Sequence, residues 1–173
     1  TYDMYAEGDV RRDATCWDVR GVTYTERYQD THIWLAKYRP FTENNKDAGF
    51  DNNLNYNNNY RYYRYAETLL NAAELSVRTG GGNAATYLNE VRTRAGLGNI
   101  DATIDNIIEE RHLEFVGEGK RYWDLVRSGK AASVLVPDQY GYRTNAWTES
   151  KKYIPIAQAE IDAAQGTLVQ NNY

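Results

Sequence analysis

Arg64-Tyr65-Ala66-Glu67-Thr68-Leu69-Leu70-Asn71-Ala72-Ala73-Glu74 decides how the rest of this 173-residue chain is read. Ala66, Leu69, Leu70, Ala73 and Val77 recur at the spacing of one helical face, while Arg64, Glu67, Asn71, Glu74 and Arg78 fall on the other side. The pattern predicts an amphipathic helix of about four turns beginning near Arg61. Glu74 precedes Arg78 by one helical turn, the favourable order for an ion pair, and Gly80-Gly81-Gly82 supplies the stop.

Downstream, Asn83 is placed to cap a second helix with an apolar stripe of Ala84, Leu88, Val91 and Ala95 and an end at Gly96. Asp101 is expected to cap a third, in which Ile104, Ile107, Ile108 and Phe115 have core spacing and Gly117 lies near the end. A shorter fourth helix is predicted from Lys120 to Ser128, and a last one from near Gln158, after Ile154-Pro155-Ile156. The first two helices make a tetratricopeptide-like hairpin with small residues at close contacts. Such stacks need about three repeats, so further repeats are expected upstream.

Residues 1–60 read as an irregular, loop-rich segment packing on a helical region, 61–173, within one domain. Apolar and polar residues roughly alternate over Ala14–Val19 and Gly21–Tyr24, enough for a small sheet. The Asn-rich tract from Asp51 to Tyr60 is expected to be surface loop, because its side chains compete for backbone hydrogen bonds. The fold class is therefore mainly α: tetratricopeptide-like helix hairpins with irregular loops and little strand.

Composition narrows the function. A formal net charge of -4 argues against nucleic acid, which demands a basic face, and no apolar run is long enough to cross a bilayer. The single Cys16 cannot form an internal disulfide and is expected to be a buried or half-buried thiol. The opening Thr1-Tyr2-Asp3 shows no initiator Met, signal peptide or lipidation Cys, so the chain is expected to be truncated at its front.

Several separated segments resemble, in order, the C-terminal signature of the SusD/RagB family of outer-membrane nutrient-binding lipoproteins. Arg64–Glu74 is similar to that family's RYAExLLxxAE block, and Leu88-Asn89-Glu90-Val91-Arg92-Thr93-Arg94-Ala95-Gly96-Leu97 to its LNxVRxRAGL block. Glu110-Arg111-His112-Leu113-Glu114-Phe115, with Glu118-Gly119-Lys120-Arg121-Tyr122-Trp123-Asp124-Leu125-Val126-Arg127, resembles its ERxxEL and EGxRxxDLxR segment, the most specific match. Gly8-Asp9-Val10-Arg11-Arg12-Asp13-Ala14-Thr15 resembles a GDxRxxAT element, and Gln170-Asn171-Asn172-Tyr173 the closing QNPGY, one residue short.

The resemblance implies a SusD-like helical fold whose function is non-catalytic capture of an oligosaccharide or polysaccharide at the bacterial cell surface. The partner it implies is a TonB-dependent, SusC-like transporter, with attachment to the outer membrane through a lipid anchor absent from this fragment. It also implies that most sugar contacts come from loops upstream. A peptide-binding or protein-interaction member of the same fold is the alternative, and a helical glycoside hydrolase is a third reading.

The hydrolase reading turns on Glu109, Glu110, Glu114, Glu118 and Asp124, since two carboxylates some 5–9 Å apart hydrolyse glycosides. Arg111, Arg121 and Arg127 stand at spacings that let a helix hairpin pair each acid with a guanidinium, which spoils a general acid. A structural ion-pair network of Glu110, Arg111, Glu114, Glu118, Arg121, Asp124 and Arg127 is expected instead, with no catalytic residue. His32 and His112 are too few for the usual zinc sets, and Asp51, Asn53, Asn55 and Asn57 open like a calcium loop but lack its Gly and closing Glu. No metal and no cofactor is expected.

Sugar binding needs flat aromatic faces with polar groups beside them. Trp17, Trp34, Trp147, Tyr140 and Tyr142 lie in loop or extended regions and are the candidate ligand-binding residues, with Tyr24 and Tyr28 behind them. Tyr122 and Trp123 fall in a helix and are expected in the core.

Overall fold

The computed structural model describes residues 1–39 and 58–171; the calcium-like stretch at Asp51–Asn57 and the closing Asn172-Tyr173 lie outside them. Contacts gather the chain into two compact units, Thr1–Arg121 and Tyr122–Tyr173. Helices dominate both.

In the first unit a 3-10 turn at Tyr2–Met4 leads to α1 (Arg11–Thr15), β1 (Cys16–Asp18) and β2 (Ile33–Leu35), then α2 (Tyr65–Thr79), α3 (Ala84–Arg94) and α4 (Ile104–Glu114). Helix α2 starts four residues later than the periodicity predicts, because Arg64 is extended (φ -136°, ψ 157°) and its side chain is committed elsewhere. Gly80 ends the helix at φ 74°, the left-handed conformation that glycine adopts without penalty. The cap of α4 is Thr103, whose hydroxyl accepts the Asn106 N–H at 3.1 Å. Asp101 instead offers its carbonyl to the Asn106 side chain at 2.8 Å.

Helices α2 and α3 pack as the expected hairpin, and α4 closes over them. Ala66, Leu69, Leu70 and Ala73 of α2 meet Leu88 and Val91 of α3, Ile107 of α4 and Phe115 in one core. The polar side of α2 is not solvated, however: Glu67 and Glu74 are buried. Glu67 lies 3.1 Å from the Lys120 ammonium, and Glu74 takes Arg78 at 2.9 Å in the predicted i,i+4 pair.

A second cluster joins Tyr5, Cys16 and Leu113, so the cysteine is the buried thiol that was expected, and burial pushes its pKa up. It ties the small sheet to the end of α4. The sheet pairs Cys16 with Leu35, Trp17 with Trp34 and Asp18 with Ile33, antiparallel. Its second strand is Ile33–Leu35 and not the predicted Gly21–Tyr24. Three residues are too few to leave a readable alternation.

Gly117 shows how closely this sheet docks. At φ 78° it favours glycine, and a Cβ there would stand 2.8 Å from a Leu35 methyl. Gly117→Ala should therefore destabilise the protein by about 1–3 kcal/mol through backbone strain and overpacking. A denaturant midpoint equal to wild type would refute this.

The second unit contains all but the first residue of α5 (Arg121–Arg127), followed by α6 (Ala131–Val134), a 3-10 turn at Glu149–Lys152 and α7 (Gln158–Ala163). The Gln170 side chain both accepts from the Ile156 N–H (2.9 Å) and donates to its carbonyl (2.8 Å). That pair fastens the chain end to the Ile154-Pro155-Ile156 segment.

Candidate functional site

Two features stand out as functional candidates: a buried charge cluster and a set of exposed aromatic side chains. Glu110 and Glu114 stand one turn apart on α4 and project from the same face. Glu118 follows in the turn after Phe115. All three are buried.

Their cations come from four separate segments. Arg11 reaches Glu110 at 2.6 Å and Glu114 at 3.1 Å, and its remaining N–H groups clasp Asp9 at 2.7 and 2.9 Å. Arg64 binds Glu114 at 2.8 Å and forks onto Glu118 at 2.7 and 3.0 Å. Arg92 takes the second Glu110 oxygen at 2.8 Å, and Arg94 takes Glu114 at 2.6 and 2.7 Å. Lys37 meets Glu118 at 2.5 Å and donates to the Glu114 carbonyl at 2.8 Å. The guanidinium planes of Arg64 and Arg111 both lie over the Phe115 ring, 5.0 and 5.1 Å from its centre.

The basic residues named from the sequence divide. Arg111 donates to the Asn71 side-chain oxygen at 2.7 Å and lies 3.8 Å from Glu67. Arg121 donates to the Ile108 carbonyl at 3.4 Å, and Arg127 pairs with Asp124 at 2.8 Å within its own helix. Arg11, Lys37, Arg64, Arg92 and Arg94 are the partners that reading by nearness along the chain passed over. The signal for the four arginines was present in the GDVRR, RYAE and VRTR blocks, each of which carries an arginine at the contacting position, whereas Lys37 lies in none of them.

Burial alone would raise the Asp9 and Glu118 carboxyls, but bonds from Arg11 to the first, and from Arg64 and Lys37 to the second, outweigh it and hold both below the usual range. Burial, reinforced by the charge of Arg121, pushes His112 down to about 4. Depressed carboxyls give stability that is complete above their unfolded pKa and lost as pH falls through the lower folded value. The depressed histidine gives stability complete above 6.5 and lost toward about 4. Thermal midpoints should thus hold level from about pH 6.5 to 8, fall by several degrees from pH 6.5 to 4, and fall again below. His112→Leu should flatten the first fall; a midpoint independent of pH across that window would refute the assignment.

Chemically, the cluster surrounds its carboxylates with guanidinium groups and holds Asp9 and Glu118 ionised, a poor setting for a proton donor. Among the described residues no group of three or more His, Cys, Asp or Glu side chains is placed to hold a metal ion. No described helix is long and apolar enough to cross a membrane.

The aromatic candidates divide. Trp17 and Trp34 face each other across the sheet, 37% and 36% exposed, with ring centres 5.6 Å apart edge to face. Tyr140 and Tyr142 sit exposed on a turn that Asp138 organises by accepting the N–H groups of Tyr140, Tyr142 and Arg143. Trp147 is half-buried and donates its indole N–H to the Tyr122 hydroxyl at 3.2 Å. Trp123, expected in the core, is 46% exposed; α5 is short and turns Asp124 and Leu125 inward instead.

A helix hairpin, closed by a third helix and held by a buried charge clamp, defines the structural class of the first unit. The chain belongs to the SusD family, whose profile (SusD_RagB) matches residues 4–173. It is 62% identical to surface glycan-binding protein A from Bacteroides thetaiotaomicron, with a TM-score of 0.93 over 100% of this chain and 40% of that one. That protein is also known in complex with laminarihexaose. The corresponding protein from Bacteroides uniformis is 63% identical with a TM-score of 0.90, over the same shares of the two chains. SusD-like protein P2 from Formosa agariphila is 30% identical over 99% of this chain and 38% of its own. The chain thus spans about two fifths of the length of these relatives.

Proposed function

We propose that the protein captures glycan at the bacterial cell surface, without catalysis, for delivery to a TonB-dependent outer-membrane transporter. The observation that carries this reading is the likeness, along the whole chain, to a surface glycan-binding protein that takes laminarihexaose. Attachment to the outer membrane by a lipid anchor, and a SusC-like partner, belong to the same proposal, which membership of the SusD family supports. Loop aromatics are the sugar contacts in this reading, among them Trp147, Tyr140 and Tyr142. The charge cluster is scaffold, because its carboxylates are saturated with arginine and lysine.

Affinity electrophoresis of the full-length protein tests the proposal. Migration should be retarded in gels containing laminarin, and incubation with laminarin should release no reducing sugar. Unretarded migration with every polysaccharide tried would overturn glycan capture in favour of a peptide or protein ligand. Sugar release abolished by Glu118→Gln would overturn the non-catalytic role.

A further inference from the structure

We infer that the β1–β2 hairpin, with the loop joining its strands, is a subsite for a neutral oligosaccharide, in which Trp34 stacks on a sugar ring and the adjoining groove takes hydroxyls. This rests on the glycan-capture reading and goes beyond it by assigning a subsite to the β1–β2 hairpin.

Trp34 is braced from several directions. Its indole N–H donates to Asp30 at 3.2 Å, and the same carboxylate oxygen accepts the His32 backbone N–H at 2.8 Å. Tyr24 meets the Trp34 ring with centres 4.8 Å apart and near-perpendicular planes, and its hydroxyl lies 2.7 Å from the His32 ring nitrogen Nδ1. Across the sheet Trp17 adds its edge-to-face contact, while the Arg39 guanidinium covers the Trp17 ring at 4.6 Å. An aromatic that only fills the core would be buried, and an incidental surface aromatic would not be fixed by this many neighbours. Trp34 is both fixed and over one third exposed. Such a ring binds a flat apolar face with little ordering left to do.

The backbone supports the same reading. Gln29 and His32 hold φ values of 59° and 58°, the left-handed region that non-glycine residues rarely occupy. They bracket Asp30, the residue that fixes Trp34. Strain of this kind persists where the surrounding structure enforces it, and it gathers at ligand sites.

Beside the ring pair lies a groove of about 320 Å³, lined by Val19, Gly21, Tyr24 and His32 with Arg20 and Glu26. Its one arginine is neutralised, since Arg20 donates to Asp18 at 2.9 and 3.0 Å, while the Glu26 carboxylate lies 3.8 Å from a His32 ring nitrogen. A groove whose arginine is already paired and whose other acid is a carboxylate favours an uncharged polyhydroxyl ligand over an acidic sugar. The C–H face of a pyranose would lie on Trp34, with its hydroxyls toward Glu26 and Arg20.

Laminarihexaose titration of the full-length protein, followed through indole N–H resonances, tests this without any variant beyond those used for assignment (Trp17→Phe and Trp34→Phe). The Trp34 and Trp17 signals should move to saturation while that of Trp123 stays in place. By calorimetry, Trp34→Ala should weaken binding about tenfold, and Trp34→Phe, which keeps a flat ring, should recover most of that. Glu26→Ala, an exposed change that leaves the sheet intact, should weaken it about threefold. Binding with unmoved Trp17 and Trp34 signals, or wild-type affinity in both Trp34→Ala and Glu26→Ala, would overturn the subsite and leave glycan capture standing. Failure to bind laminarihexaose or any other neutral glycan of a panel would overturn both.

Discussion

Arg11→Ala should destabilise the protein by about 3–5 kcal/mol, the range expected when one member of a buried charge network is removed and its partners stay behind. Asp9, Glu110 and Glu114 are all buried, and Arg11 donates to each of them at 2.6–3.1 Å. The three carboxylates are not equally exposed to the loss. Glu110 keeps Arg92, and Glu114 keeps Arg64 and Arg94. Asp9 loses the guanidinium that clasps both of its oxygens, so the largest share of the penalty falls there.

Three measurements separate this account from simple loss of packing. Arg11→Met keeps the volume and should still cost most of the stability, since the charges remain unpaired. Arg11→Lys keeps the charge but not the planar fork, and should fall between Arg11→Met and the wild type. The deficit should also shrink as pH falls toward the lowered pKa of Asp9, where protonation removes the charge that Arg11 neutralises. Denaturant midpoints across pH decide the matter: a deficit that stays constant down to pH 3, or a wild-type midpoint for Arg11→Met, would sink the clamp.

What the clamp joins explains why it was only partly legible. The acids were evident, because Glu110, Glu114 and Glu118 repeat at helical spacing. The cations sought for them were the neighbours Arg111, Arg121 and Arg127, and a helix does not work that way: Arg111 is turned about 100° from Glu110 and so faces Glu67 and Asn71. Arg11 lies 99 residues from Glu110 along the chain, and no periodicity reports a contact at that distance. The helices were read well because Leu69, Leu70, Leu88 and Ile107 repeat with a period, whereas the three-residue strands were not. Glu67 and Glu74 misled for a physical reason, since a carboxylate paired by Lys120 or Arg78 tolerates burial that its chemistry alone would forbid. The aromatic candidates were visible as residue types, and their bracing by Asp30 and Asp138 was not.

Leu70→Ala should cost about 2–5 kcal/mol, and its contrast with Leu75→Ala isolates the reason. Both leucines lie on α2, both changes give the same helix-forming residue, and both remove the same atoms. Leu70 is 0% exposed in the cluster that locks α2 to α3 and α4, while Leu75 is 62% exposed. Leu70→Ala therefore removes buried contacts and leaves a cavity that Leu88, Val91 and Ile107 cannot fully collapse into, and Leu75→Ala should stay within about 0.5 kcal/mol of wild type. The hairpin stack is the frame on which Arg64, Arg92 and Arg94 converge on Glu110 and Glu114. Loosening it should therefore weaken the clamp as well, and Leu70→Ala combined with Arg94→Ala should depart from additivity, since Arg94 acts only while α3 is held in place. Equal midpoints for Leu70→Ala and Leu75→Ala would show that the α2–α3 contact is not the core that stabilises the first unit. Strict additivity of the double variant would show that helix packing and charge clamp act independently.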